Sequence, residues 1–181
     1  MKVYADTCYH IYNRGNNKEP IFFEEENYNF FLNQFKKYVS PFCDVYAYCL
    51  MPNHFHFFLT VNNEAGFEKG IKNFFISYSK AINKKYNRVG SLFQGRFKIS
   101  DIKTESYFTT IITYIHQNPV VAQLVKNMED YKYSSYAAYL SNKETLLNKS
   151  IVLEWIGGLE GFISHHQLYL NEYQINKRLK L

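Results

Sequence analysis

Leu50-Met51-Pro52-Asn53-His54-Phe55-His56-Phe57-Phe58-Leu59 decides how the rest of this chain is read. The stretch is apolar almost throughout, yet it holds two histidines at i and i+2. Successive side chains of a β-strand point to opposite faces, so His54 and His56 share one face and Phe55 and Phe57 the other. Packing gives an apolar strand no reason to set two titratable rings side by side. Two imidazoles on one face can, however, reach a single divalent ion. The residues before the pair, Asp44 to Leu50, read as a strand, and those from His54 to Val61 as the next. The connection Met51-Pro52-Asn53 is so short that the two strands should form an antiparallel hairpin.

Working outward, Thr7 to Arg14 is rich in β-formers and reads as a first strand, ended by the turn residues Gly15-Asn16-Asn17-Lys18. Glu24 to Tyr38 reads as a helix, opened by acids and closed by Lys36-Lys37 as its dipole favours, with Tyr28, Phe31, Leu32 and Phe35 at core spacing. After a turn at Asn62 to Gly66, a second helix is expected from about Phe67 to Tyr86. It would bury Ile71, Phe74, Phe75, Tyr78 and Ile82 and expose Lys69, Lys72, Lys80, Lys84 and Lys85. A solvated helix face explains those lysines as well as DNA does. Leu92 to Ile99 leads into a fourth strand ending near Ile102. A third helix should start near Thr104 and stop at about Gln117, because Pro119 disfavours helical backbone at Asn118. The order β-α-β-β-α-β is the ferredoxin-like split βαβ, an α+β fold with a four-stranded antiparallel sheet. Residues 1–141 are expected to form the catalytic domain, and 142–181 a small helical extension of it.

Composition narrows the class. The 181 residues fit one domain with a full core, and Phe and Tyr dominate its apolar content, 16 and 17 in number. A net charge of +5 is compatible with a polyanionic partner and equally with simple solubility. The three cysteines, Cys8, Cys43 and Cys49, form no C-x-x-C pair, which fits a reducing cytoplasm better than a disulfide framework. The first residues lack the apolar region of a signal peptide, and no apolar run is long enough to span a membrane.

A histidine pair needs a third ligand and something to act on. Thr113-Tyr114-Ile115-His116-Gln117-Asn118-Pro119 offers both, since Tyr114 and Asn118 stack at i and i+4 on a helix and Gln117 stands at i+3. His116 falls on another side and is read as a non-ligand. Imidazole with an amide oxygen and water suits Mg²⁺ or Mn²⁺ better than a closed structural zinc site. A tyrosine can act as a nucleophile, but its phenol titrates near pH 10 and needs help. Most of the 17 tyrosines must be packing residues, and spacing alone does not single out Tyr114.

Four stretches resemble the REP-associated tyrosine transposases, within the single-tyrosine HUH transposase superfamily. They are His10-Ile11-Tyr12-Asn13-Arg14-Gly15-Asn16, Tyr48 to His56, Leu92-Phe93-Gln94-Gly95-Arg96-Phe97-Lys98, and Tyr114 to Ala122; Asp130 to Tyr136 adds to the likeness. The resemblance implies that His54 and His56 hold a divalent metal, Mg²⁺ or Mn²⁺, with Asn118 as a third ligand. It implies that Tyr114 attacks a phosphodiester of single-stranded or hairpin DNA, leaving a 5′-phosphotyrosine and a free 3′-OH that can later reverse the reaction. Tyr12, Asn13, Arg14, Asn16, Lys18, Phe93, Arg96 and Lys98 become candidates for DNA contact, with Tyr12 and Phe93 as stacking platforms. Where the family carries Val-Arg-Ala-Gly-Leu, this chain has Val120-Val121-Ala122-Gln123-Leu124, which bears on any DNA contact at Val121 but not on the chemistry. A cytoplasmic enzyme, monomeric or homodimeric, follows. The competing readings are a domesticated, catalytically silent hairpin binder and an RNA-binding module on the same fold, the latter with Tyr114 buried.

Overall fold

The histidine hairpin forms as its sequence requires. β2 (Cys43–Met51) and β3 (His54–Val61) pair antiparallel, Met51 facing His54, so Pro52 and Asn53 are the whole connection. The computed structural model describes residues 2–179, with side chains for all of these except 105, 106 and 169–179. β1 (Thr7–Arg14) pairs with β3, and β4 (Lys98–Ile102) with β1, giving a four-stranded antiparallel sheet in the order β2-β3-β1-β4. Helices α1 (Glu25–Tyr38) and α2 (Glu64–Lys85) follow β1 and β3, completing the ferredoxin-like unit.

The sheet is covered on both faces. Phe31 and Phe35 of α1 and Phe74 and Phe75 of α2 interlock with Phe55 and Phe57 of β3; Phe35 and Phe57 stack at 4.1 Å between ring centroids. This aromatic layer absorbs much of the chain's phenylalanine, each buried ring contributing roughly 1.5–3 kcal/mol. α2 begins at Glu64, earlier than its hydrophobic pattern suggests, because the Asn63 side chain accepts a hydrogen bond from the Gly66 amide and caps it. Gly70 permits the close crossing of α1 and α2, since a Cβ there would lie 2.0 Å from the Tyr38 carbonyl oxygen.

The opposite face carries His54, His56 and Phe58, and α3 (Glu105–Val121) lies across it, Phe108 against Phe58 and Tyr114 against His56. The helix does not stop before Pro119 but runs through it. Pro119 has no N–H to offer the Ile115 carbonyl. The Asn118 amide nitrogen supplies a substitute, donating to Tyr114 O at 2.8 Å and lying 3.4 Å from Ile115 O. Gln123, just past the helix, takes φ +60, the left-handed geometry that favours glycine.

Beyond α3, residues 133–148 run along the outer edge of β2, with Leu50, Ser135 and Asn148 amides bonded across to Tyr133, Tyr48 and Val45 carbonyls. That covers one sheet edge. Helices α4 (Tyr136–Tyr139), α5 (Lys149–Ile156) and α6 (Gly158–Leu179) complete the chain, helical as expected. No helix among the described residues is long and apolar enough to cross a membrane.

Candidate nucleic-acid and metal site

β3 places the two histidine rings on one face, nearly perpendicular and 5.2 Å apart between centroids. Each ring is anchored through Nδ1. The Asn53 amide nitrogen donates to Lys18 O at 3.0 Å, so its oxygen faces His54, where the ring Nδ1 must donate to it at 2.7 Å. His54 therefore carries its proton on Nδ1, and its Nε2 presents a lone pair. His56 Nδ1 lies 2.9 Å from His10 Nε2, which leaves His56 Nε2 without a protein partner among the described residues. Burial holds both rings' proton affinities down, for His56 well below the usual histidine range, with His10 and His54 beside it adding to the effect. Neutral imidazole is the form that ligates metal.

α3 brings the other partners. Tyr114 is 48% exposed, and its ring meets His56 edge-on at 5.5 Å. Burial, then the nearby Tyr12, raises the pKa of the phenol, while the Asn118 side chain, within hydrogen-bonding reach, lowers it. Asn118 also lies within reach of His54. Because its amide nitrogen is spent on the helix backbone, its oxygen is the atom turned outward. Gln117, the alternative amide, is buried and donates to His166 O at 3.2 Å, on the side toward α6. His116, too, faces α6, as its position on the helix requires.

No three His, Cys, Asp or Glu residues are grouped to hold a metal among the described residues. Two imidazole Nε2 atoms and an amide oxygen are nonetheless a donor set that fits a hard or borderline divalent ion completed by water or a phosphate oxygen.

A cavity of about 540 Å³ opens on these groups, lined by Tyr12, Asn13, Arg14, Lys18, Asn53, His54, His56, Gln94, Lys98 and Tyr114. Its three cations face no carboxylate within it, and none is in a salt bridge among the described residues. The field there favours a polyanion. Lys98 lies over the Tyr12 ring at 6.0 Å. The floor depends on Gly15, whose Cβ would sit 1.9 Å from Glu19 O, so only glycine lets the following turn fold back. Asn16 stands outside the lining, its amide bonded to Leu92 O. Arg96 points to a neighbouring groove. Phe93 requires correction as a stacking platform: it is 5% exposed, its ring packed edge-to-face against Phe55 and Phe75 in the core.

Sequence reasoning gave no role to His10. It is buried, bonded to His56, stacked on Tyr12 at 4.9 Å and edge-on to Tyr114 at 6.2 Å. The signal was present in the strand alternation, which puts His10 and Tyr12 on one face, but only the β1–β3 register, with Tyr12 opposite His56, turns that face toward the site.

Comparison with known proteins gives the fold and the family. A solved structure of the REP-associated tyrosine transposase bound to a REP hairpin is similar in fold, with a TM-score of 0.60 at 17% identity over 78% of this chain and 83% of that one. No curated protein matches. A profile of the transposases described as IS200-like matches residues 3–118. Since that match takes in more than half of the chain, from β1 to Asn118, the chain belongs to the IS200-like transposase family.

Proposed function

We propose that the protein is a metal-dependent, single-tyrosine enzyme that nicks and joins single-stranded DNA at hairpins. The observation that carries this reading is the half-exposed Tyr114 phenol beside two histidines with available Nε2 atoms, in a cavity whose cations have no acidic partner. The same observation weighs against an RNA-binding module, which would expose aromatics rather than histidines and bury Tyr114.

In the reaction, the Tyr114 oxygen forms a bond to the scissile phosphorus as the bond from phosphorus to the 3′ oxygen breaks. The phenol proton passes to solvent and the 3′ oxygen leaves as a hydroxyl. The 5′-phosphotyrosine conserves the phosphodiester's energy, so a 3′-OH can later attack it without ATP. Mg²⁺ or Mn²⁺, which His54, His56 and Asn118 would hold, supplies Lewis-acid polarisation of the phosphate. Arg14, Lys18 and Lys98 would grip the DNA backbone and Tyr12 would offer an aromatic face. Asn13 would keep the 93–96 loop in place through its bond to Gly95 O. The chain would act in the cytoplasm as a monomer or a homodimer. Residues 1–141 would form the catalytic unit and 142–181 its helical extension.

The test is a denaturation-resistant protein–DNA adduct, sought with labelled single-stranded DNA carrying palindromes of the source genome and Mn²⁺ or Mg²⁺. An adduct that requires metal and disappears in Tyr114→Phe supports the reading. Tight hairpin binding without an adduct under any metal would instead favour a silent binder, and an adduct surviving Tyr114→Phe would move the nucleophile to Tyr107.

A further inference from the structure

The turn after β1 is held in a shape its sequence does not favour. Asn17 takes φ +53 and Lys18 φ +61, two successive non-glycine residues in the left-handed region. Asparagine visits that region readily, but lysine does not. Such backbone persists where its surroundings over-determine it. Within the turn, the Lys18 and Glu19 amides donate to Gly15 O and Asn16 O at 3.1 and 3.0 Å. The Pro52-Asn53 connection between β2 and β3 does the rest. Asn53 O accepts the Gly15 amide at 2.7 Å, and Pro52 O accepts the Ile21 and Phe22 amides at 2.9 and 3.2 Å. The Asn53 side chain donates to Lys18 O at 3.0 Å.

The other end of that side chain serves the metal site. Its oxygen accepts the Nδ1–H of His54 at 2.7 Å, which leaves the Nε2 lone pair free to ligate. Only an amide can fill this place, because one end must donate to a carbonyl while the other accepts from a ring N–H. A carboxylate meets the second demand alone, and an ammonium the first alone. Lys18 and His54 line the same cavity. One planar group therefore joins the backbone of a cation that would face the DNA to the ring that would face the ion. Hydrogen bonds in such a chain polarise one another. Ligation through Nε2 makes the Nδ1–H a stronger donor to Asn53, and Asn53 in turn a stronger donor to Lys18 O.

We infer that Asn53 is a positioning residue that fixes His54 in the Nδ1–H tautomer and couples metal ligation there to seating of the 15–19 turn that carries Lys18. By linkage the effect runs both ways, so a phosphate that holds the turn also presets His54 for the ion. The inference rests on the metal-dependent reading proposed above and deepens it.

The experiment compares the full chain with Asn53→Ala and Asn53→Asp, at a position that is partly exposed. In metal-free protein at neutral pH, NMR of the ring nitrogens should show His54 protonated on Nδ1; Asn53→Ala should lose that preference and Asn53→Asp should keep it. Mn²⁺ affinity by calorimetry should fall roughly 10- to 100-fold in Asn53→Ala, as for loss of a group that orients a metal ligand, and recover most of the way in Asn53→Asp. Mn²⁺ without DNA should slow hydrogen exchange of the 15–19 amides roughly fivefold or more in the unaltered chain, the lower end of ordinary coupling. It should leave them unchanged in Asn53→Asp, which still binds the ion but cannot donate to Lys18 O. An unchanged tautomer and Mn²⁺ affinity in Asn53→Ala would overturn the positioning role. Exchange that Mn²⁺ slows equally in Asn53→Asp, or does not slow in the unaltered chain, would overturn the coupling, and this arm decides the matter even if Asn53→Ala does not fold. In each of these cases a metal-dependent adduct leaves the proposed function standing. Absence of both Mn²⁺ binding and adduct in the unaltered chain would overturn the function and the inference together.

Discussion

Two histidine pairs in this chain are joined nitrogen to nitrogen at the same distance, 2.9 Å, and they do opposite things. His10 and His56 both line a cavity that also reaches Tyr114, and His56 keeps an available nitrogen. His116 and His166 are closed in, with all four ring nitrogens engaged. The closed pair can be wired proton by proton. The Phe162 carbonyl only accepts, so His166 donates to it from Nδ1 at 2.7 Å and offers Nε2 as an acceptor. His116 then donates from Nδ1 and accepts at Nε2 from the Ser135 hydroxyl at 2.7 Å. Ser135 in turn accepts the Tyr48 amide at 2.8 Å. The chain of bonds ties α3 to α6 and β2, and no lone pair is left for a metal. Histidine proximity alone is therefore no sign of a site; the difference lies in unclaimed nitrogens and in a cavity for a ligand to enter.

The largest expected effect would break the comparison outright. His56→Ala should reduce adduct formation to background and abolish saturable Mn²⁺ binding by calorimetry, in a chain that still unfolds cooperatively. If Mn²⁺ binding persisted in His56→Ala but vanished in His116→Ala, the two roles assigned above would be reversed.

His116→Ala should act on stability. It opens a cavity at a fully buried position and strands Ser135 and His166, a loss of about 3–4 kcal/mol and roughly 10 °C in Tm for a chain of this size. Adduct formation per folded molecule should survive it.

Acid should find the same cluster. Burial lowers the His166 pKa from 6.5 to about 4, and lowers that of His116 well below the usual range. The unfolded chain binds these protons first, so the stability is fully present above about pH 6.5 and declines as the pH falls, the His166 share levelling off below about pH 4. For His166 alone the loss is on the order of 3 kcal/mol. Urea unfolding between pH 7 and 4 should show the decline, and His166→Gln should flatten it; an unchanged slope would remove His166 from the account.

The smallest effect sharpens the open pair. His10→Leu takes away the partner that orients His56, which should weaken Mn²⁺ binding by roughly 10- to 100-fold, the range typical for loss of a group that orients a metal ligand. His10→Gln, which can still bond Nδ1 of His56, should recover part of that affinity. Equal affinities in all three proteins would reduce His10 to packing.

Sequence periodicity carried much of this. The i, i+2 spacing of His54 and His56 is a backbone property of a strand, and β3 keeps its expected bounds. The stacking of Tyr114 and Asn118 is likewise a property of helix pitch. Local rules failed where a side chain compensated for a backbone defect: Asn118 stands in for the N–H that Pro119 lacks, and α3 continues. They failed again at Phe93, where an aromatic in a Gly-containing loop was turned inward by packing on Phe55 and Phe75.

By itself the sequence determined the elements, the shared face of the two histidines and the pairing of a phenol with an amide one helical turn away, because each depends on spacings of four residues or fewer. Only the tertiary structure decided that the two faces meet, that Asn118 rather than Gln117 is on the site side, and which histidine pair borders a cavity. Those choices depend on contacts such as His10 with His56 and His116 with His166, about fifty residues apart in the chain. Side-chain periodicity cannot register contacts at that separation; strand register and the packing of α3 between sheet and α6 create them.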